Sequence, residues 1–282
     1  MPTMPTMPTE GGDVSIVRSP SRSQQGIDPN VPHAARIYDY LLDGAYNFAA
    51  DREIADKIEK AMPASRDAAR INRAFLRRAV QFMVDSGIRQ FLDIGSGVPS
   101  AGSVHEIAQR ADPECRIVYV DKEPVMHSEV LRGNNRVTAI QVNLRDVEDV
   151  LDHPWTRRLL DFDQPIGLLM LWVLHFVPDR WDPVGILARY RDRLAPDSYL
   201  AITHVTADGN PLGLDEALRL YRNTPNPAYA RSHEEVLGLF AGFELVEPGL
   251  VGSAYWRPTG PGDVSGDAAM NTVSYGGVGR KP

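Results

Sequence analysis

The chain has a single cysteine, Cys115, in 282 residues. One thiol excludes an internal disulfide and any multi-cysteine metal site. Its place just before an apolar run marks it as a buried, inert side chain. Long apolar runs are lacking as well: none approaches the roughly 18–20 residues that cross a bilayer. The first residues carry no apolar stretch of a secretory leader, so the expectation is a cytoplasmic protein with no membrane partner. Basic charge is in deficit, with 30 Lys and Arg against 37 Asp and Glu and a net charge of −7. That excludes a sequence-independent attraction to nucleic acid, and no helix-turn-helix or basic recognition stretch offsets it. The remaining composition, 43% hydrophobic and 24% charged, is ordinary for a globular chain. Its length suits one large α/β domain with extensions.

Residues 1–26 are low in complexity, with MPT repeated three times and little to bury; they read as a disordered tail. Residues 27–88 read as an N-terminal helical cap. Its helices are expected over Ala34–Asp43, ending at Gly44, over Asn47–Lys60, and over Arg66–Ser86, closing at Gly87,. Polar and aromatic groups crowd this roof. Asn47 and Arg73 are candidates for holding a cofactor, and Tyr38, Tyr40 and Phe48 for walling a substrate. Asp51 and Arg52 read more simply as a solvated face.

Residues 89–282 carry the alternation of a nucleotide-binding sheet. The run RQFLDIGSG (89–97) ends in an acid and two glycines, AGSVHEIAQRA (101–111) reads as a helix, and RIVYVD (116–121) as a second strand ending in an acid. Strand, Gly-rich turn, helix, strand, acid is an opening βαβ unit. Gly95 and Gly97 permit a tight turn and the approach of a ligand, and the helix that follows offers unpaired N–H groups. Asp121 is placed to accept both hydroxyls of a ribose. A dinucleotide fingerprint requires a third glycine, whereas Gly97 is followed by Val98, Pro99 and Ser100. Asp93, two residues before Gly95, would repel a pyrophosphate but suits a ligand bearing an ammonium and a sulfonium. Both departures favour S-adenosylmethionine over NAD.

The alternation continues through a helix over Val125–Arg132 and a strand over Val137–Asn143. A helix over Asp146–Leu160, interrupted at His153-Pro154, comes next. The apolar run Ile166–Leu174 suits a central strand buried on both faces,. Pro183–Leu194 reads as a helix and Ser198–Val205 as a fifth strand. Asp208–Arg231 reads as a variable-looking insert, with Pro211, Pro225 and Pro227. Ser232 and Glu235 make a capping box, Phe243–Val246 a sixth strand, and Asn271–Tyr275 a last antiparallel one.

The segments DYLLDGAYNFAADRE, INRAFLRRAV, GIRQFLDIGSGVPS, VYVDKEP and NLRD, with LHFVPD, FELVEPGLV and YGGVGRKP, resemble an actinobacterial family of S-adenosyl methyltransferases. That family, first catalogued as a domain of unknown function, lies within the class I methyltransferases, and the resemblance spans about Ile27 to Pro282. It implies a Rossmann-like, seven-stranded and mostly parallel sheet with helices on both faces. It also implies a cofactor site built from Asp93, Gly95, Gly97, Asp121 and Asn143. Ser96, Lys122, Leu144 and Leu171 are assigned to the same site. Asn143 stands where an Asp is usual, and Asp43-Gly44 where Gly-Gly is usual. A small-molecule acceptor in bacterial secondary metabolism is implied by the resemblance alone; a homodimer stays open.

Methyl transfer is an in-line displacement by an O, N or C nucleophile, in which alignment carries much of the rate. A weakly acidic nucleophile also needs a base, and an imidazole suits that near neutral pH. His175 follows the fourth strand and His204 ends the fifth, so both are candidates. His33 and His105 read as structural, and Trp172 and Phe176 as substrate-side aromatics. Asp179 and Asp208 form no evident metal set, and no metal is expected. Two further readings stay open at this point. One is a methyltransferase fold that uses S-adenosylmethionine for a cyclisation or rearrangement; the other is a sensor of that ligand.

Overall fold

Apolar spacing and local capping set the elements of the computed structural model, which describes residues 27–98, 102–123 and 133–282. Helices α1 (Ala34–Leu41), α2 (Ala49–Ala61) and α3 (Ser65–Asp85) precede β1 (Gln90–Ile94), α4 (Val104–Ala111), β2 (Arg116–Asp121) and β3 (Val137–Gln141). Then come α5 (Val147–Leu151), α6 (Pro154–Leu159), β4 (Gly167–Leu171), α7 (Pro183–Arg193) and β5 (Tyr199–Val205). Helices α8 (Leu214–Arg222) and α9 (His233–Gly238) lead to β6 (Glu244–Leu245), β7 (Val251–Gly252) and β8 (Ser274–Arg280). The expected tail over 1–26 and the expected helix over 125–132 lie outside the described residues.

One sheet runs β3-β2-β1-β4-β5-β8-β6, with β7 beside β8. Strands β3, β2, β1, β4 and β5 are parallel, and β8 is antiparallel to β5, β6 and β7. The expected seven strands are present; the eighth is the two-residue β7. Chain order reverses between β1 and β4, which opens a crevice at their carboxyl ends.

Period-two alternation divides the core. Leu92, Ile94, Val118, Val120, Leu168, Met170, Leu200 and Ile202 pack on one face with residues of α5, α7 and α9. Phe91, Ile117, Tyr119, Leu169, Ala201 and Val278 pack on the other with Phe75, Ala79, Val80 and Met83 of α3 and with Trp256. Every residue of β1 and of β4 is buried, as strands covered on both faces require. Helix α3 is therefore a layer of the sheet, although the sequence groups it with the cap. Its buried Arg78 donates to the carbonyls of Trp256 and Ser253, each at 2.7 Å, and lies 3.0 Å from Asp263.

The roof is built instead from α1, α2 and α8, through Ile37, Leu41, Ala55, Ile58 and Ala217. Helix α8 lies inside the segment read as a variable-looking insert, to which the sequence reading assigns no helix. Its Leu214, Ala217, Leu218 and Tyr221 have helical spacing, but the prolines at 211, 225 and 227 bracket it and mask the signal. Asp51, read as a solvated residue, is fully buried and accepts from the N–H groups of His33 and Phe48 and from Arg36 Nε. At the Asp43-Gly44 pair, Asp43 takes φ +60° and bonds Arg66 and Arg70. A Cβ on Gly44 would lie within 2.7 Å of all three atoms of the Asp39 carboxylate.

The last strand falls on Ser274–Arg280 rather than on Asn271–Tyr275. Its sequence, SYGGVGR, looks like a loop because glycine weakens an isolated strand. In the fold those glycines sit under aromatic rings: a Cβ on Gly276 would come 2.7 Å from the Phe75 ring and 3.1 Å from Ser253 Cβ. Gly276→Val should cost about 1–3 kcal/mol through overpacking, read as a lower urea midpoint at unchanged slope. Gly260→Ala, whose Cβ meets nothing within 4 Å, should leave the midpoint in place. An unchanged midpoint for Gly276→Val would mean that Phe75 yields freely.

Candidate active site

The crevice between β1 and β4 deepens into a cavity of about 290 Å³. Its floor is the carboxyl edge of the sheet, and α1, α3 and the segment after α8 close over it. The Gly95 turn forms one side. Gly95 and Gly97 take φ of +76° and +67°. A Cβ on Gly95 would lie 2.3 Å from Val173 Cγ2, so this glycine is demanded by packing as well as by backbone conformation. The Gly97 N–H donates to Asp121 Oδ2 at 2.9 Å, and the Glu123 N–H to Asp121 Oδ1 at 3.0 Å. Burial raises the Asp121 carboxyl above the usual range, opposed by these two bonds. Asp93 is raised further, to about 7, by burial and by nearby Asp121 against the pull of Arg73. Arg73 also donates to the Gly102 carbonyl at 2.9 Å.

Of the expected cofactor residues, Asp93, Gly95, Ser96, Gly97, Asp121, Lys122, Asn143, Leu144, Leu171 and Arg73 all line this cavity. Asn143 is tied to the neighbouring Arg145. Its side-chain oxygen accepts from Arg145 N–H at 3.1 Å and from Arg145 Nε at 3.3 Å. With both lone pairs engaged, its NH₂ is the group left for a ligand.

Strand β4 ends at Leu171, three residues before the predicted end. Trp172 takes φ +50°, an unusual conformation for a bulky residue. The chain then turns through a 3₁₀ segment, Leu174–Phe176. The Trp172 N–H donates to Thr203 Oγ1 at 3.0 Å, and the Thr203 hydroxyl donates to Asn72 Oδ1 at 2.6 Å. Asn72 Nδ2 donates to the Tyr38 hydroxyl at 3.0 Å, which donates on to the Ala69 carbonyl at 3.2 Å. This chain of bonds joins β4, β5, α3 and α1.

His175, Trp172, Phe176 and Tyr38 all line the cavity. Burial, then His204, then Arg231 hold the His175 imidazole well below its ordinary pKa, so the ring is neutral. Its Nδ1 is buried without a hydrogen-bond partner. His204 is placed otherwise than the sequence predicts. It is fully buried and outside the cavity lining, with Nδ1 2.8 Å from the Val205 carbonyl and Nε2 2.8 Å from Arg231 Nη1. Burial takes its pKa down to about 4. A ring bonded at both nitrogens has none left for a substrate proton.

Three roof residues also fall outside the lining. Asn47 bonds Asp39 and the Gly44 carbonyl, each at 2.9 Å. The Tyr40 hydroxyl donates to Asp56 at 3.1 Å, and Phe48 stacks under Arg36, 5.3 Å away. All three hold the roof together. His105 bonds the Tyr119 hydroxyl at 2.8 Å, a core contact. His33 caps α1 through Nδ1 but also reaches the cavity, as do Arg145, Trp181 and Tyr221. The segments NLRDV and DRWDP gave no sign of this, because the Arg145–Trp181 stacking at 4.1 Å joins two loops far apart in sequence.

The arrangement fits a cationic nucleoside. It offers a buried carboxylate at Asp93, a half-buried one at Asp121, and a glycine turn lining the cavity. Among the described residues there is no cluster of three or more potential metal ligands and no helix long and apolar enough to cross a membrane.

Comparison with known proteins agrees with this geometry. A family model described as S-adenosyl methyltransferase matches residues 20–282. A DUF574 family protein from Streptomyces avermitilis is 38% identical, with a TM-score of 0.87 over 90% of this chain and 99% of that one. A protein from Thermobifida fusca, provisionally assigned as a methyltransferase, is 38% identical, with a TM-score of 0.85 over 91% of this chain and 97% of that one. A comparison with curated proteins finds no match. The residues matched span the roof, the glycine turn and the last strand, and the chain belongs to the S-adenosyl methyltransferase family, an enzyme whose methyl donor is S-adenosylmethionine.

Proposed function

We propose that this enzyme methylates a small molecule at an oxygen or nitrogen, within the cytoplasm and in bacterial secondary metabolism. One observation carries the reading. One cavity is lined by both the acidic glycine turn and a neutral imidazole, His175, with an unpartnered nitrogen. The actinobacterial origin of both solved relatives supports the metabolic setting.

The bound cofactor supplies a methyl group on positively charged sulfur. Asp93 faces that positive charge, Asp121 accepts from ribose hydroxyls with the lone pairs its N–H partners leave free, and the Asn143 NH₂ donates to a ring nitrogen of adenine. Ser96, Lys122, Leu144, Leu171 and Arg73 complete the cofactor's wall. His175 accepts the acceptor's proton as the nucleophile attacks, then releases it to solvent, so one proton leaves for each methyl transferred. Tyr38, Trp172 and Phe176 exclude water around the acceptor. His204, bonded through Arg231, positions the turn that carries His175.

Calorimetric titration tests the cofactor assignment: S-adenosylmethionine and S-adenosylhomocysteine should bind and NAD should not. Asp121→Asn should weaken both by about 1–3 kcal/mol, the range for hydrogen bonds to a charged group. Full affinity in a folded variant would remove Asp121 from the ribose site.

Asp93 makes binding pH-dependent. Its raised pKa leaves it partly protonated at neutral pH, and a cation favours the ionised form. Affinity for S-adenosylmethionine should therefore rise as pH increases through about 7, with proton release below that pH. Titrations in buffers of different ionisation enthalpy measure this release. The charged groups facing Asp93 are Arg73 and Asp121. Affinity flat from pH 6 to 8 would place Asp93 in its ionised form throughout.

Both buried imidazoles have lowered pKa values, so both should stay neutral as pH falls through the ordinary range near 6.5. Nitrogen-15 NMR, with His175→Gln and His204→Gln to assign the signals, reads this directly. A His175 ring that protonates near 6.5 would show a solvated side chain, at odds with a buried base.

A further inference from the structure

Five rings form a continuous arc on one wall of the cavity. Tyr38 of α1 lies 5.5 Å from Trp172, and Trp172 lies 6.2 Å from His175. His175 lies 4.2 Å from Phe176, and Phe176 lies 6.0 Å from Tyr221 of α8. All contacts are tilted or edge-on, at interplanar angles of 55–72°. The rings come from the β4 exit and the roof, whereas Asp121 and Asn143 come from the ends of β2 and β3 on the other side of the glycine turn. The arc is thus separate from the expected adenine position. Two nitrogens in it, His175 Nδ1 and Trp172 Nε1, are buried without partners.

We infer that this arc is the acceptor subsite and that it takes a planar aromatic molecule carrying a hydroxyl or ring N–H, the group to be methylated. Tilted rings around a gap match the edge-to-face and offset contacts that a flat aromatic makes. A cationic acceptor is the other chemistry that rings favour, but the Arg231 guanidinium behind the arc opposes it. Arg231 stands behind His175 and His204, and Oδ2 of Asp39, the carboxylate beside Tyr38, is bonded to Tyr46 N–H and Asn47. The inference rests on the methyltransferase reading above.

The full chain, saturated with S-adenosylhomocysteine, is titrated with β-naphthol, with its fully saturated analogue and with tetramethylammonium. β-Naphthol should bind at least about tenfold more tightly than the saturated alcohol, the scale of one or two aromatic contacts. Tyr221→Leu should lose about tenfold and Tyr221→Phe should keep the affinity. Equal binding of the two alcohols, tighter binding of tetramethylammonium, absence of β-naphthol binding, or an unaffected Tyr221→Leu would each overturn the inference while the cofactor assignment stands. Failure of S-adenosylhomocysteine itself to bind the folded protein would overturn the proposed function and this inference with it.

Discussion

The left-handed backbone at Trp172 is the constraint on which the catalytic edge depends. A bulky residue at φ +50° costs on the order of 1–3 kcal/mol and persists only when its surroundings fix it. Here they do so from two sides. The Trp172 N–H is held by both the hydroxyl and the carbonyl oxygen of Thr203. Beyond it, Arg231 donates to the Leu174 and Val177 carbonyls, which bracket His175 and Phe176. Without the kink, β4 would continue straight and carry these two rings out of the cavity. The strained residue and the functional ones are therefore neighbours for a mechanical reason. The same bonds continue through Asn72 to Tyr38, so the kink and the first roof helix are positioned together.

Charge is distributed along the cavity in the way its two ligands demand. Two carboxylates, Asp93 and Asp121, stand by the glycine turn, where burial makes them costly to ionise until a cation arrives,. On the far side, Arg231 and burial keep two imidazoles neutral. On the proposed function, a positive methyl donor is drawn to one half and a proton is accepted in the other. The protein separates the two tasks by placing them on opposite sides of the point where strand order reverses.

What the sequence made legible was local. The βαβ unit could be read because its glycines, its acid and the flanking apolar runs lie within about thirty residues. Strand β4 showed as a continuous apolar run because both its faces are covered. Side-chain direction was not legible. His204 ends a strand just as His175 follows one, and the difference lies in Arg231, which only the fold brings to His204. Asn47, Tyr40 and Phe48 sit on the same roof as Tyr38 but turn toward Asp39, Asp56 and Arg36. Strand β8 was misplaced because its glycines answer to Phe75, Phe240 and Phe243, contacts remote in sequence.

The hidden helix α8 has the largest consequence for function. Bracketed by prolines, it lay unassigned in a variable-looking insert, yet it docks on α2 and delivers Tyr221 to the arc of rings. The cofactor half of the cavity is made by sheet-edge turns whose geometry the parallel strands impose. The half proposed for the acceptor is made by pieces that the sheet does not dictate: α1, the strained exit of β4 and this inserted helix. Changes in α8 can reshape the acceptor wall without touching the glycine turn or its acids. Specificity and cofactor binding are thereby placed on structurally separable parts of one cavity, joined through the bonds that run from Trp172 to Tyr38.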